Sequence, residues 1–169
     1  MIEIIDATSM VSRSKEYPHR KDIKRIYVHH SGRAGKEGLE GAKNTSRYVV
    51  RHRGFPGPAY HYWIPFTGTS IYLLNDVFRR CWHTGGAANT HGIGVCLQGN
   101  TTLKPMSEFQ CEALHDLLKF LRVGHVLSSK NPVSWHSASA KYGGKAKAAC
   151  PGSHATAWLK GWCARIPHS

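Results

Sequence analysis

Three short segments of this chain contain side chains of the kinds that bind transition metals. Two carry a histidine, His29 in a Tyr-Val-His-His-Ser run and His136 in a Trp-His-Ser run, and the third carries Cys150 before a Pro-Gly step. Zinc binds imidazole nitrogen and thiolate sulfur readily, and a catalytic zinc has three protein ligands with a fourth position open to water. We therefore predict one zinc ion bound by His29, His136 and Cys150.

The strand around the first histidine places neighbouring side chains on opposite faces. Alternation with a period of two puts Ile26 and Val28 on one face, and Tyr27 and His29 on the other. His30 then points away from His29 and is not expected to share its metal. We assign His30 to the surroundings of the site as a substrate-binding residue, with simple packing as the alternative.

The rest of the chain predicts alternating strands and helices. Residues 107 and 110 form a Ser-x-x-Gln capping box, and Leu114, Leu117, Leu118 and Leu121 make one buried stripe on the helix that follows. Tyr48 and Val49 are expected to point inward from an earlier helix. In chain order we predict a strand at 25–31, a helix at about 42–52, a hairpin of strands at 59–65 and 71–74, a strand at 93–97, and helices beginning at residues 107 and 153.

This order of elements predicts an α/β fold, a single domain with a central mixed β-sheet flanked by helices. Residues 1–22 are interpreted as an N-terminal arm and residues 23–169 as the catalytic domain. With 169 residues, 41% hydrophobic and 20% charged, the chain suits one soluble domain. It has no apolar run of about 18 residues. It also has no signal peptide pattern at its start, so we expect it to be made in the cytoplasm.

The composition is strongly basic. Lys and Arg number 23 against 10 Asp and Glu, a formal net charge of +13. Such a field attracts polyanions, among them nucleic acid, anionic lipid and a bacterial envelope, although solubility alone is the alternative. The 5 cysteines show no paired spacing, which indicates free thiols and one metal thiolate rather than a disulfide framework.

Four motifs occur in a characteristic order along the chain. They are Ile-Tyr-Val-His-His-Ser at 26–31, Ala-Tyr-His-Tyr-Trp at 59–63, Trp-His at 82–83 leading to Ile-Gly-Val-Cys-Leu-Gln-Gly-Asn at 93–100, and His136 followed by Ala-Cys-Pro-Gly at 149–152. This ordered set resembles the zinc-dependent N-acetylmuramoyl-L-alanine amidases shared by phage endolysins and animal peptidoglycan recognition proteins. The resemblance implies a mixed sheet with an open zinc groove, and cleavage of the amide between the muramic acid lactyl group and L-alanine.

The resemblance also implies roles for further residues. It places a catalytic tyrosine at Tyr60, for which packing of a hairpin aromatic into the core is the alternative. We assign His83 to the substrate groove, with packing against Trp82 as the alternative. Family members commonly carry a lysine or threonine two residues before the cysteine, where this chain has Ala148 in a longer 137–149 loop. We assign that catalytic role to Lys147, with a solvated loop lysine as the alternative.

Within this family we expect a phage endolysin rather than a secreted immune protein, because the chain is small and shows no signal peptide pattern. We expect a monomer that stays in the host bacterial cytoplasm until lysis and then acts on cell-wall peptidoglycan. The basic surface would help to hold it on the anionic envelope. One alternative is a non-catalytic peptidoglycan-binding recognition domain. The retained cysteine disfavours it, because non-catalytic relatives can dispense with the metal ligands. Another is a nucleic-acid-binding protein with a structural zinc. The ligand spacings match no zinc finger and the basic residues are scattered, so we expect no specific nucleic acid partner.

Overall fold

The computed structural model describes residues 2–33, 35–124, 127 and 132–165. Residue 1 of the predicted arm and residues 166–169 of the predicted domain lie outside the described residues. Within the described part of the chain, six strands form one sheet. They are β1 (Glu3–Asp6), β2 (Arg25–His30), β3 (Tyr62–Ile64), β4 (Ser70–Leu73), β5 (Gly92–Leu97) and β6 (Val133–Trp135).

The sheet is mixed, and its centre is parallel. Its strand order is β1-β4-β3-β5-β2-β6. The pairing of β3 with β4 is the antiparallel hairpin expected from the sequence, and the other four pairings are parallel. The central strand β5 is buried along its whole length, which is typical of a strand covered on both faces. The N-terminal segment contributes β1 to one edge of the sheet, beside β4.

Helices cover both faces of this sheet, so the predicted fold is confirmed. The described residues form four α-helices, namely α1 (Gly38–Arg53), the short α2 (Ala88–His91), α3 (Glu108–Gly124) and α4 (Ser153–Arg165), and a 3-10 helix spans His136–Tyr142. The leucine stripe of α3 and Leu159 and Trp162 of α4 pack on Ile26 and Val28 of β2. Ala42 of α1 packs with Trp63 and Cys96 in a second cluster.

The capping box of α3 is present as predicted. The backbone N–H of Gln110 donates to Ser107 Oγ at 3.1 Å, and the backbone N–H of Ser107 donates to Gln110 Oε1 at 3.4 Å. This reciprocal pair satisfies two N–H groups that the first helical turn leaves without partners. Local sequence therefore determines where α3 begins.

The orientation of α1 differs from the expected one. Its buried residues are small, namely Gly41, Ala42 and Ser46. A Cβ on Gly41 would lie 2.3 Å from the Lys36 carbonyl oxygen, so this position has no room for a side chain. Tyr48, predicted to point inward, is instead 38% exposed, because the close approach of α1 buries its small face and turns the bulky one outward.

The described residues contain no helix that is both long and apolar enough to span a membrane. All five cysteines are free thiols, in agreement with the expected absence of a disulfide framework. Cys81, Cys96 and Cys150 are buried, and Cys111 and Cys163 are partly buried.

Candidate metal centre

The ends of two parallel strands bring the two predicted histidine ligands together. The register of β2 against β6 sets Val28 beside Trp135. His29 and His136 follow these residues in the sequence, so they lie side by side at the C-terminal ends of β2 and β6. Their Nδ1 atoms are 3.1 Å apart, and their ring centroids are 4.7 Å apart.

Cys150 reaches the same ends of β2 and β6 from the loop before α4. Its backbone N–H donates to the Lys147 carbonyl at 2.9 Å, and its own carbonyl accepts from the backbone N–H of Ser137 at 2.8 Å. Its Sγ atom lies 3.7 Å from Nδ1 of His29. One potential ligand atom from each of His29, His136 and Cys150 lies within 4.8 Å of the others. The fold thus gathers the three predicted ligand residues into one group.

Burial keeps this group uncharged when no cation is bound. His29 is completely buried, and burial together with the neighbouring histidines lowers its pKa well below 6.5. Burial also lowers the pKa of His136. The pKa of the Cys150 thiol is raised to about 11, chiefly by burial, although the backbone N–H of His30 and the charge of Lys147 act in the opposite direction. Metal binding would therefore displace a thiol proton.

Carbonyl partners fix where the imidazole protons are. Nε2 of His136 lies 3.0 Å from the Lys145 carbonyl oxygen, and Nε2 of His83 lies 2.9 Å from the Gly92 carbonyl oxygen. A carbonyl only accepts, so in both rings the Nε2 atom carries the proton and the Nδ1 atom is bare, meaning that it carries no proton. Nε2 of His29 is 3.1 Å from Nδ1 of His83 and must donate to it. His29 Nδ1 is then bare as well.

The resulting donor set fits a zinc ion. Bonds of the usual Zn–N and Zn–S lengths at tetrahedral angles separate two nitrogens by about 3.3 Å, and nitrogen and sulfur by about 3.6 Å. Of the three separations here, His29 Nδ1 to His136 Nδ1 is 3.1 Å, His29 Nδ1 to Cys150 Sγ is 3.7 Å, and the third is within 4.8 Å. Two bare nitrogens directed at each other repel unless a cation lies between them, and a site of two imidazoles and one thiolate supplies that cation's preferred ligands.

Tyr60 lies directly beside this group. Its ring centroid is 5.1 Å from that of His29, and the residue is partly exposed. Burial of the hydroxyl, with the Cys96 and Cys150 thiols nearby, raises the pKa of Tyr60 well above 10. The phenol therefore keeps its proton at neutral pH and is able to donate a hydrogen bond.

Lys147 is exposed and lines the same groove as Tyr60. Its charge lowers the pKa values of His136 and Cys150, which places the ammonium group close to the ligand residues. It adds positive charge at the mouth of the site. Its proposed role in catalysis stays a prediction.

The two histidines assigned to substrate binding are held by the protein itself. Nδ1 of His30 accepts from the backbone N–H of Thr101 at 3.2 Å. His83 borders the groove but is only 6% exposed, and its two ring nitrogens are engaged by His29 and the Gly92 carbonyl. Nδ1 of His30 and both ring nitrogens of His83 thus make hydrogen bonds within the protein, and contact of these two residues with substrate stays a prediction.

The long 137–149 loop contributes to the site through its backbone. The Lys145 N–H donates to the Thr84 carbonyl at 2.8 Å, which packs the loop on the segment that carries His83. The carbonyl of the same lysine holds Nε2 of His136. Sequence reasoning missed this contact because a backbone carbonyl has no signature in the residue type.

A groove of about 390 Å³ runs beside the ligand group. Among the described residues that line it, four are Lys or Arg and none is Asp or Glu. The cationic residues are Arg33, Lys36, Arg53 and Lys147. Aromatic side chains also line the groove, among them Tyr48 from α1, and Phe55 and Trp82 from loops. A cavity of this charge favours an extended ligand with carboxylate groups.

The zinc-free protein is expected to lose stability as the pH falls below about 6.5. Burial lowers the pKa of His29 and His61 well below 6.5, and that of His83 to about 3, in the folded state. Below pH 6.5 the unfolded chain therefore binds protons that the folded chain does not. His83 alone lowers the free energy of unfolding by about 2 kcal/mol between pH 6.5 and 5. Urea unfolding with chelator present measures this slope, and a flat profile would contradict the assignment.

Comparison with known proteins assigns the chain to a family. The model of the Amidase_2 family, N-acetylmuramoyl-L-alanine amidase, matches residues 19–153. Because that stretch is most of the chain, the protein belongs to this family. A search of curated proteins gives no match.

Solved structures share the fold at low sequence identity. Wild-type PGRP-LB of Drosophila superposes with a TM-score of 0.81 at 16% identity, covering 99% of this chain and 96% of that one. The amidase LysC of Clostridium intestinale URNW gives 0.71 at 18% identity, covering 96% and 98%. The ectodomain complex of PGRP-LCa and PGRP-LCx with bound tracheal cytotoxin gives 0.78 at 20% identity, covering 99% and 100%. At these identities the likeness establishes the fold.

Proposed function

We propose that this protein is a zinc-dependent N-acetylmuramoyl-L-alanine amidase that hydrolyses the amide between the muramic acid lactyl group and L-alanine of peptidoglycan. The observation that carries the proposal is the convergence of His29, His136 and Cys150, with both Nδ1 atoms bare and 3.1 Å apart. Family membership supports the reaction, and the basic groove beside the ligands supports an acidic peptide as part of the substrate.

The metal would supply the chemistry that side chains lack here. A zinc ion held by these three residues would polarise a carbonyl and lower the pKa of a bound water toward about 7. Tyr60 then donates its phenolic hydrogen bond to the oxygen on which negative charge develops, and Lys147 adds positive charge beside it. The register of β2 against β6 places the two imidazoles side by side, because each histidine follows one of the paired residues Val28 and Trp135.

We further propose that the enzyme acts as a phage endolysin, reaching the cell wall at lysis. Its fold resembles that of LysCS from Clostridium intestinale, described as an endolysin, at a TM-score of 0.69 and 19% identity. The net charge of +13 would favour binding to the anionic envelope.

Digestion of purified peptidoglycan tests the proposed reaction. We expect new L-alanine amino termini without new reducing sugar ends, no release in the presence of a chelator, and recovery when zinc is returned. New reducing ends would indicate a glycosidase, and chelator-resistant release would exclude a metal-dependent reaction.

The second candidate is a recognition domain that binds peptidoglycan without cutting it. It is favoured by the likeness to recognition proteins such as the PGRP-LCa and PGRP-LCx ectodomains bound to tracheal cytotoxin. The same digestion separates the two, because a recognition domain would sediment with the peptidoglycan and release no amino termini.

Replacement of Lys147 by alanine is expected to lower kcat/KM by about 10-fold, since an exposed ammonium contributes less than a buried oxyanion donor. Lys147→Arg should retain most of the activity, because it keeps the charge. The matched control is Lys141→Ala, an exposed lysine of the same loop that does not line the groove. Equal effects of Lys147→Ala and Lys141→Ala on amide hydrolysis would remove Lys147 from the mechanism.

A further inference from the structure

His83 lies behind His29, on the side away from the other two ligands. The two rings meet edge to face with centroids 5.1 Å apart, and His83 Nδ1 faces His29 Nε2 at 3.1 Å. The partner of a metal-binding histidine is commonly a carboxylate, a carbonyl or water. Here it is a second imidazole, which accepts only while its Nδ1 carries no proton.

Two groups keep His83 in that form. The Gly92 carbonyl accepts from His83 Nε2 at 2.9 Å and also from Nη1 of Arg20 at 2.6 Å. Arg20 is only 6% exposed and donates further to the Val77 carbonyl at 2.9 Å and 2.6 Å. The Gly92 carbonyl only accepts, so it holds the His83 proton at Nε2, and the buried guanidinium of Arg20 fixes that carbonyl in place.

A glycine on the central strand makes room for this arrangement. A Cβ on Gly94 would lie 2.7 Å from Cγ and 2.9 Å from Cδ2 of His83. Real Cβ atoms do not approach other atoms so closely, so the imidazole lies in a space that only glycine leaves free. The glycine of the Ile-Gly-Val run therefore has a specific steric purpose at this site.

We propose that His83 is a positioning residue that holds His29 in the Nε2-protonated tautomer and thereby presents a bare Nδ1 to the metal. The inference rests on the proposed zinc site. Without an acceptor at Nε2, the buried His29 ring would place its proton on Nδ1, toward the Nδ1 of His136, and that nitrogen would be lost as a ligand. Arg20 and Gly94 act through His83.

Four variants separate this role from simple packing. His83→Leu removes the acceptor and fills part of the volume, whereas His83→Asn restores an acceptor oxygen close to the position of Nδ1. Gly94→Ala displaces the ring without altering a hydrogen-bonding group. His115→Leu is the matched control, because it removes a partly buried histidine on α3 that accepts a hydrogen bond from Trp162 Nε1 at 3.0 Å.

Zinc affinity is the first readout, measured by competition with a chromophoric chelator. We expect His83→Leu and Gly94→Ala to weaken zinc binding about 10–100-fold, the range typical of losing such a partner. His83→Asn should recover most of the affinity, and His115→Leu should bind zinc like the wild type. Equal losses in His115→Leu and His83→Leu would overturn the proposal, since they would indicate a general loss of stability.

The tautomer of His29 is the second readout and needs no zinc. Nitrogen-15 NMR of the zinc-free protein should show His29 protonated at Nε2 in the wild type and at Nδ1, or in exchange, in His83→Leu. Protonation at Nδ1 in the wild type would overturn the proposal, as would an unchanged tautomer in His83→Leu. If neither His83→Leu nor Gly94→Ala folds, the wild-type spectrum decides. A wild type that binds no zinc would refute the proposed function while this spectrum still decides the role of His83.

Discussion

Cys150→Ser is expected to abolish both stoichiometric zinc binding and peptidoglycan hydrolysis. The thiolate is the one anionic ligand of the predicted site, and its loss leaves two neutral imidazoles, which hold zinc weakly. Loss of several kcal/mol of electrophilic stabilisation corresponds to a fall in kcat/KM of at least about 10³-fold. We expect His29→Ala and His136→Ala to behave in the same way, because each removes one of the converging donor atoms.

The measurement combines metal analysis of the purified variants with release of L-alanine amino termini. Cys163→Ser is the matched control, since this thiol is partly buried on α4, does not belong to the ligand group, and packs at the margin of the main core. It should retain zinc and activity. Full activity and one bound zinc in Cys150→Ser would refute the proposed site.

The second large effect is expected from Tyr60→Phe. This change removes one hydroxyl beside the ligand group and leaves the ring, which packs 5.1 Å from that of His29. Loss of a single hydrogen-bond donor to a developing oxyanion lowers kcat by about 10²–10³-fold. Zinc content should be unchanged, because the hydroxyl is not among the three ligand atoms. Turnover and metal content measured on the same preparation therefore distinguish a catalytic from a structural role.

Tyr62→Phe is the matched control for this variant. Tyr62 lies two residues further along, is only 4% exposed, and packs into the main core with the leucines of α3. Removing its hydroxyl tests the effect of losing a phenol from the hairpin away from the metal group. Comparable losses in the two variants, or full activity in Tyr60→Phe, would exclude Tyr60 from the mechanism.

Much of the local structure could be predicted because it depends on neighbouring residues. Alternation along β2 separated Ile26 and Val28 from His29, and the structure places the first two in the core between the sheet and α3. The capping box of α3 is another case, because its partners are three residues apart. The strands at the edges, β1 and β6, were missed because four and three residues are too few to show a period.

The orientation of α1 needed the tertiary structure. The sequence offers two faces, one of small residues and one with Tyr48, and hydrophobicity alone favours burying the larger side chain. The small face packs inward instead, because the backbone of Gly41 lies so close to the Lys36 carbonyl and the Gln98 side chain that a larger residue would not fit. This choice turns Tyr48 toward the groove.

By itself the sequence determined the types of the three predicted ligands, the strand that carries His29 and the order of the elements, because these follow from residue chemistry and short-range periodicity. The tertiary structure alone decided that β2 and β6 pair in register, that His83 supports His29 across 54 positions of chain, and that the Lys145 carbonyl holds His136. Such contacts join distant segments, and some involve only the backbone, so no local pattern of side chains encodes them. The placement of protons at the site follows from those contacts.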